Sequence, residues 1–152
     1  MSEVKHGAFG RFDGKVHVLP VRIYYEDTDL SGIVYHANYL RYMERGRTEF
    51  FRAVGVKKLA ELEGPEPFAW TLRKATLEYR RPARLDDLIE IHTRLTGLSG
   101  ARMTAAQDIY CKGQHLTHGE VEACIITLSG KPRRIPQDER DRLSPFLSET
   151  NA

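Results

Sequence analysis

At 152 residues, with 41% apolar and 29% charged side chains, the chain has the make-up of one globular domain spanning 1–152, long enough to bury a core. A formal net charge of +2 is too small to argue for nucleic acid or an anionic membrane surface as partner. No apolar run approaches the ~18 residues of a membrane span, and Met1 to Lys15 lacks the apolar centre of a signal peptide, so a cytoplasmic protein is expected.

In chain order, residues 1–15 read as a loose N-terminal arm. The β-branched and aromatic content around Val18 to Tyr25 predicts a first strand over His17 to Asp27, running into the turn composition of Asp29-Leu30-Ser31-Gly32. From Asn38 to Val54, Tyr39, Met43, Gly46, Phe50 and Ala53 recur at steps of three and four, which places them on one face of a helix. Arg41, Glu44, Arg45, Arg47, Glu49 and Arg52 fill the opposite, charged face. A glycine in mid-helix costs about 1 kcal/mol against alanine, so Gly46 marks a close approach of helix backbone to a sheet. Lys57 to Leu62 adds a turn or two of helix before Gly64-Pro65-Glu66-Pro67.

Everything after that reads as β. Phe68 to Tyr79 is a long strand, and Ile89, Ile91, Thr93 and Leu95 alternate with Glu90, His92 and Arg94 in a second. Leu98-Ser99-Gly100 is a turn. Ala101 to Cys111 and His118 to Leu128 form two more strands around a hairpin at Lys112-Gly113-Gln114-His115. Residues 136–152 form a polar C-terminal tail in which Gln137 to Leu147 has the composition of a short helix. The element order makes an α+β protein, an antiparallel sheet of about five strands covered by one long helix. The last strand is apolar on both faces, with Val121, Ala123 and Ile125 on one and Cys124, Ile126 and Leu128 on the other, and the second face is expected to pack against another copy of the chain. Cys111 and Cys124 lack C-x-x-C spacing and read as buried small hydrophobes.

The stretch Tyr24 to Tyr39 concentrates the chemistry. An Asp at a strand-to-turn junction ordinarily caps backbone N–H groups. In an alternating strand, however, Tyr25, Asp27 and Asp29 share a face, and the helix entrance near Ala37 offers unpaired N–H donors and a positive dipole end that can hold an oxyanion. His36, at that entrance, is either a hydrogen-bond donor to substrate or general acid, or a partly exposed helix-start histidine. Glu44, on the charged face, reads as a solvated partner of Arg47. His115 and His118 form H-x-x-H, but residues three apart on a strand face opposite sides and no third ligand follows at a zinc spacing, which argues against a metal. Dinucleotide, Walker-type phosphate and serine-hydrolase readings lack their motifs.

The run Tyr24-Tyr25-Glu26-Asp27-Thr28-Asp29 through Gly32-Ile33-Val34-Tyr35-His36-Ala37-Asn38-Tyr39 and on to Glu49, with a second block at Arg73 to Tyr79 and Pro82 to Asp87, closely resembles the hotdog-fold acyl-CoA thioesterases of the 4-hydroxybenzoyl-CoA thioesterase type. It is most similar to the bacterial subgroup associated with the Tol–Pal system. The resemblance covers roughly residues 17 to 135. It implies a hotdog fold, a long helix wrapped by a curved sheet, in homodimers joined edge to edge or in homotetramers. It implies hydrolysis of acyl-CoA, or acyl carrier protein, thioesters to acid and free thiol without cofactor or metal. It puts the essential carboxylate at Asp29, the oxyanion donor at the His36 N–H, supporting side chains at Tyr25 and His36, and substrate contacts at Gly32, Val34, Tyr35 and Arg102. The basic cluster that holds coenzyme A phosphates in some relatives is reduced here to Arg102, with Lys131, Arg133 and Arg134 as substitutes. Other expectations on the same fold are a hydratase or dehydratase, or a non-catalytic acyl-binding or scaffolding protein. Asp29 would act as nucleophile or as general base, and the general base is preferred because His36 and Tyr25 can position a water.

Overall fold

The computed structural model describes residues 9–148. Seven strands form one antiparallel sheet: β1 (Arg11–Asp13), β2 (Val16–Arg22), β3 (Phe68–Tyr79), β4 (Leu88–Leu98), β5 (Arg102–Cys111), β6 (Gln114–Thr127) and β7 (Pro132–Arg133). They lie in the order β1-β2-β4-β5-β6-β3, with β7 added to β6. The long helix α1 (Asn38–Ala53) packs across the sheet, and α2 (Lys58–Glu63) and α3 (Gln137–Leu143) are short. This is the expected curved sheet around one helix, with two more strands than the sequence predicts. One of the extra strands, β1, lies inside the supposed loose arm, where Arg11 to Asp13 pair with Val16 to Val18. The first eight positions of that arm lie outside the described residues.

The helix face predicted from spacing is the buried one at Tyr39, Met43, Gly46 and Phe50, joined by Tyr42 and Phe51, whereas Ala53 is exposed at the helix end. Gly46 is where backbone meets sheet. A Cβ there would lie 2.7 Å from Ile91 Cγ2 and 2.9 Å from Thr93 Oγ1. Gln107 Nε2 reaches into the same crossing and donates to Met43 O at 2.8 Å and to Thr93 Oγ1 at 2.9 Å. Most buried polar groups in folded proteins are paired in this way.

Three sequence expectations change. The first strand stops at Arg22, and Tyr25–Asp27 is a single 3-10 turn closed by the Asp27 carboxylate accepting from Tyr24 N at 2.8 Å. Tyr25, Asp27 and Asp29 therefore do not alternate on a strand. The polar tail is docked as far as residue 148, its last four positions lying outside the described residues: Leu143 is fully buried, and the Phe146 ring lies 4.6 Å from Phe12 and 5.8 Å from Phe50. Finally, the β5–β6 hairpin turns on Lys112 and Gly113, both at positive φ (50° and 78°), the geometry of a two-residue primed turn. Strand β6 thus begins at Gln114 instead of His118.

A register shift follows, since Ile109 pairs with Thr117 but Tyr110 pairs with His115. The extra residue, Leu116, enters the core. A bulge resets side-chain parity, so His115 and His118 share one face, contrary to the alternation argument. Cys111 is buried, while Cys124 is only half-buried.

Candidate active site

The loop from Thr28 to Val34 is closed at its neck by a bridge between those two residues. Asp29 N donates to Ile33 O at 3.0 Å, and Gly32 N returns to Asp29 O at 3.1 Å. Gly32 sits at φ 82°, which only glycine adopts without strain. The carboxylate of Asp29 accepts from Ser31 N at 2.8 Å and from the Ser31 hydroxyl. These two bonds hold its pKa below the ordinary value, with the nearby His36 assisting. Asp29 is exposed, as are Tyr25, Leu30, Tyr35 and His36 around it.

The helix entrance is assembled by side chains to which sequence reasoning assigned no role. Asn38 Nδ2 donates to Asp27 O at 2.8 Å, tying helix start to 3-10 turn. Tyr79 Oη on β3 donates to His36 O at 3.0 Å, and Ala83 N donates to Tyr39 Oη at 3.0 Å. Tyr35 N and Asn38 N are used locally, donating to Asp27 O and Tyr35 O. Among the described residues, His36 N and Ala37 N have no backbone acceptor. The loop thus carries an ionised carboxylate, and the helix end beside it carries open N–H donors. Asn38 was recognisable only as part of a motif; Tyr79 lies in the second motif block with no local signal of its role.

Val34 is buried under the loop, while Gly32 and Tyr35 line its open side; the Tyr35 ring packs on His36 with centroids 4.6 Å apart. Arg102 does not join this group within one protomer. It begins β5, opposite Cys124, whereas the Asp29 loop bridges to Arg84, ahead of β4 and beside the far end of β5. Nine residues of strand separate the two ends, about 30 Å. Arg102 Nη1 lies 3.7 Å from Glu122, which also holds Arg73. Arg133 is likewise engaged, with Glu66 and over the Phe68 ring.

Glu44 is exposed as expected, but Arg47 does not pair with it: Arg47 Nη1 turns inward and donates to Gln107 Oε1 at 2.9 Å. Both line a groove of about 200 Å³ with Phe51, Lys58, Trp70 and Leu72, between α1 and β3. Behind it, Glu61 and Glu139 are buried together where α2 meets α3, and Trp70 Nε1 donates to Glu139 at 3.1 Å. Burial, reinforced by Glu139, pushes the Glu61 carboxyl well above the usual range.

Comparison with known proteins identifies the family. Residues 24–147 match the family described as the thioesterase-like superfamily. The chain is 42% identical over 120 residues, covering 78% of it and 88% of the relative, to the acyl-CoA thioester hydrolase YbgC of Escherichia coli O6:H1. It is 35% identical over the same shares to the acyl-CoA thioesterase YbgC of Haemophilus influenzae. Among solved structures it is similar to a probable thioesterase from Bartonella henselae, at 40% identity and a TM-score of 0.77 over 80% of this chain and 99% of that one. Sequence similarity through most of the chain and a shared architecture converge: the chain belongs to the thioesterase-like superfamily and has its hotdog fold.

Proposed function

We propose that the protein hydrolyses acyl-CoA thioesters, with Asp29 as the working carboxylate and the His36 N–H as oxyanion donor. The observation that carries this reading is the pairing, on one closed loop and the helix it feeds, of an ionised Asp29 with unspent backbone donors. A thioester carbonyl set against those donors gains negative charge on oxygen as it is attacked, and a fixed N–H stabilises that charge at no reorganisation cost. Asp29 takes a proton from a water that attacks the carbonyl. The tetrahedral intermediate collapses, the C–S bond breaks, and the thiolate leaves and takes up the proton. Carboxylic acid and free thiol result. Direct attack by Asp29 would instead pass through a mixed anhydride. The Ser31 hydrogen bonds keep the carboxylate anionic, which both routes need, and lower its basicity. Covering the loop with substrate and a second subunit raises basicity again by desolvation. His36 and Tyr25 flank the loop from its open side and are assigned to holding the water and the leaving group.

The assembly is part of the proposal. Strand β3 ends the sheet, and Leu72 and Tyr79 on it are exposed. Two copies pairing antiparallel along β3 would bring the partner subunit's Arg102, with the basic segment around Arg133, toward the loop. The groove at Arg47 would be closed by the same contact. No helix of the described residues is long and apolar enough to cross a membrane, and a cytoplasmic location is included in this reading.

Purified protein mixed with acyl-CoA and a thiol-reactive dye should release thiol in step with acid. No thiol release from a panel spanning short, long and aromatic acyl groups would sink the reading, and an enoyl-CoA consumed with its thioester intact would favour a hydratase. Label found in the Asp29 carboxylate after a single turnover in heavy-oxygen water would establish the anhydride route in place of the general base.

A further inference from the structure

A second constellation lies on the face of the sheet turned away from α1. Asp108 neighbours Gln107, whose side chain bonds to α1, so the Asp108 side chain points the opposite way. It is 9% exposed. Asp108 Oδ1 meets His118 Nδ1 at 2.7 Å and His115 Nε2 at 2.8 Å. The three ligand-type atoms lie within 4.8 Å of one another. The bulge at Leu116 is what makes the cluster possible, because without it His115 would face the core.

We infer that Asp108, His115 and His118 form a binding site for a divalent transition metal of the zinc class. Two imidazoles and a carboxylate are a borderline donor set suited to Zn²⁺ and its neighbours. They leave a fourth tetrahedral position open to solvent. In the metal-free protein, the nearly buried carboxylate accepts from both rings and so holds their nitrogens pointed at one spot. The surroundings bear on the tautomers. Glu120 Oε2 lies 3.5 Å from His118 Nε2, placed to accept its N–H once Nδ1 is on the metal, which is the usual outer support of a ligating histidine. His115 is stacked on Tyr110, with ring centroids 4.9 Å apart. Arg80 Nη1 faces His115 Nδ1 at 2.7 Å. Arginine only donates, so this contact fixes the free ring with its proton on Nε2, and it must open when the metal takes Nε2 and the proton moves to Nδ1. Arg80 is half exposed and its other bond, to Glu78, is at the surface, so the swing costs no core packing.

The test uses untagged full-length protein stripped with a chelator, titrated by calorimetry with Zn²⁺ and by visible spectroscopy with Co²⁺. One ion per protomer is expected, at micromolar affinity or tighter, with intense tetrahedral Co²⁺ bands. Zinc at about 100 times its Kd should raise Tm by roughly 5–10 °C. The His115→Ala/His118→Ala double variant should lose more than about 100-fold in affinity, since deleting ligands costs at least what outer support does. Asp108→Asn, checked with the double variant for folding by circular dichroism, should lose at least about tenfold. Arg80→Gln should bind as tightly or more tightly. Wild-type binding no tighter than millimolar, binding unchanged in a folded double or Asp108→Asn variant, or binding lost in Arg80→Gln would each overturn the assignment.

Discussion

Asp29 and Glu61 are carboxylates of one fold driven in opposite directions. Asp29 stands in solvent on a closed turn, where two hydrogen bonds from Ser31 favour its charged form. Glu61 is 9% exposed in the crevice between α2 and α3, where burial and the neighbouring Glu139 favour a proton. Trp70 donates to Glu139 from the wall of the same crevice. The difference teaches that acid strength in this molecule is set by what surrounds the carboxyl once the chain is folded. Backbone and hydroxyl donors of a turn keep an anion, and a packed helix junction removes it.

The largest expected effect is on the anionic member. Asp29→Asn keeps shape and loses the charge, and should lower turnover by about 1,000-fold or more while the protein folds and assembles normally. Wild-type turnover by a verified, folded preparation would take Asp29 out of the mechanism. Next is His36→Ala, which leaves the backbone N–H in place and removes the side chain beside Asp29. A loss of about 10 to 1,000-fold in kcat is expected, and an unchanged kcat would reduce His36 to its peptide group.

Glu61→Gln sharpens the other side of the comparison. A carboxyl whose pKa rises on folding, here from an ordinary 4.5 to about 9, is bound more tightly to its proton in the folded than in the unfolded chain. Its contribution is complete below the ordinary value and is lost as pH rises toward 9. The wild-type melting temperature should therefore fall between about pH 5 and pH 9, and Glu61→Gln should remove most of that decline. An unaltered slope in the variant would mean that another group carries it.

Ser31→Ala is the mildest change. Losing the hydroxyl donor leaves Asp29 one backbone bond and lets its pKa rise toward the ordinary value, so the acid limb of the kcat profile should move to higher pH with little change on the plateau. A limb that stays in place would show that another group titrates there.

The long helix, its buried stripe at Tyr39, Met43, Gly46 and Phe50, and the loop bearing Asp29 are all legible in the sequence, because each depends on residues within a few positions of one another. Helical period, turn composition and a mid-helix glycine are short-range signals. The resemblance carried the reading from loop to reaction, since the Asp29 and His36 blocks stand as motifs along the chain. Arg102 shows the limit of such a motif: sequence groups it with the site, and one folded protomer holds it at the other end of β5.

What only the tertiary structure decided depends on partners far away in the chain. The first strand stops at Arg22 because Asp27 closes a tight turn on Tyr24, a competition that β-rich composition does not foresee. Arg47 leaves the charged face because Gln107, sixty positions on, supplies an acceptor inside the groove. The tail folds back because Leu143 and Phe146 meet a core that exists only after the sheet has formed. His115 and His118 share a face because the β5–β6 ladder skips Leu116. Alternation is a local rule, and the pairing of two strands is what sets where it restarts.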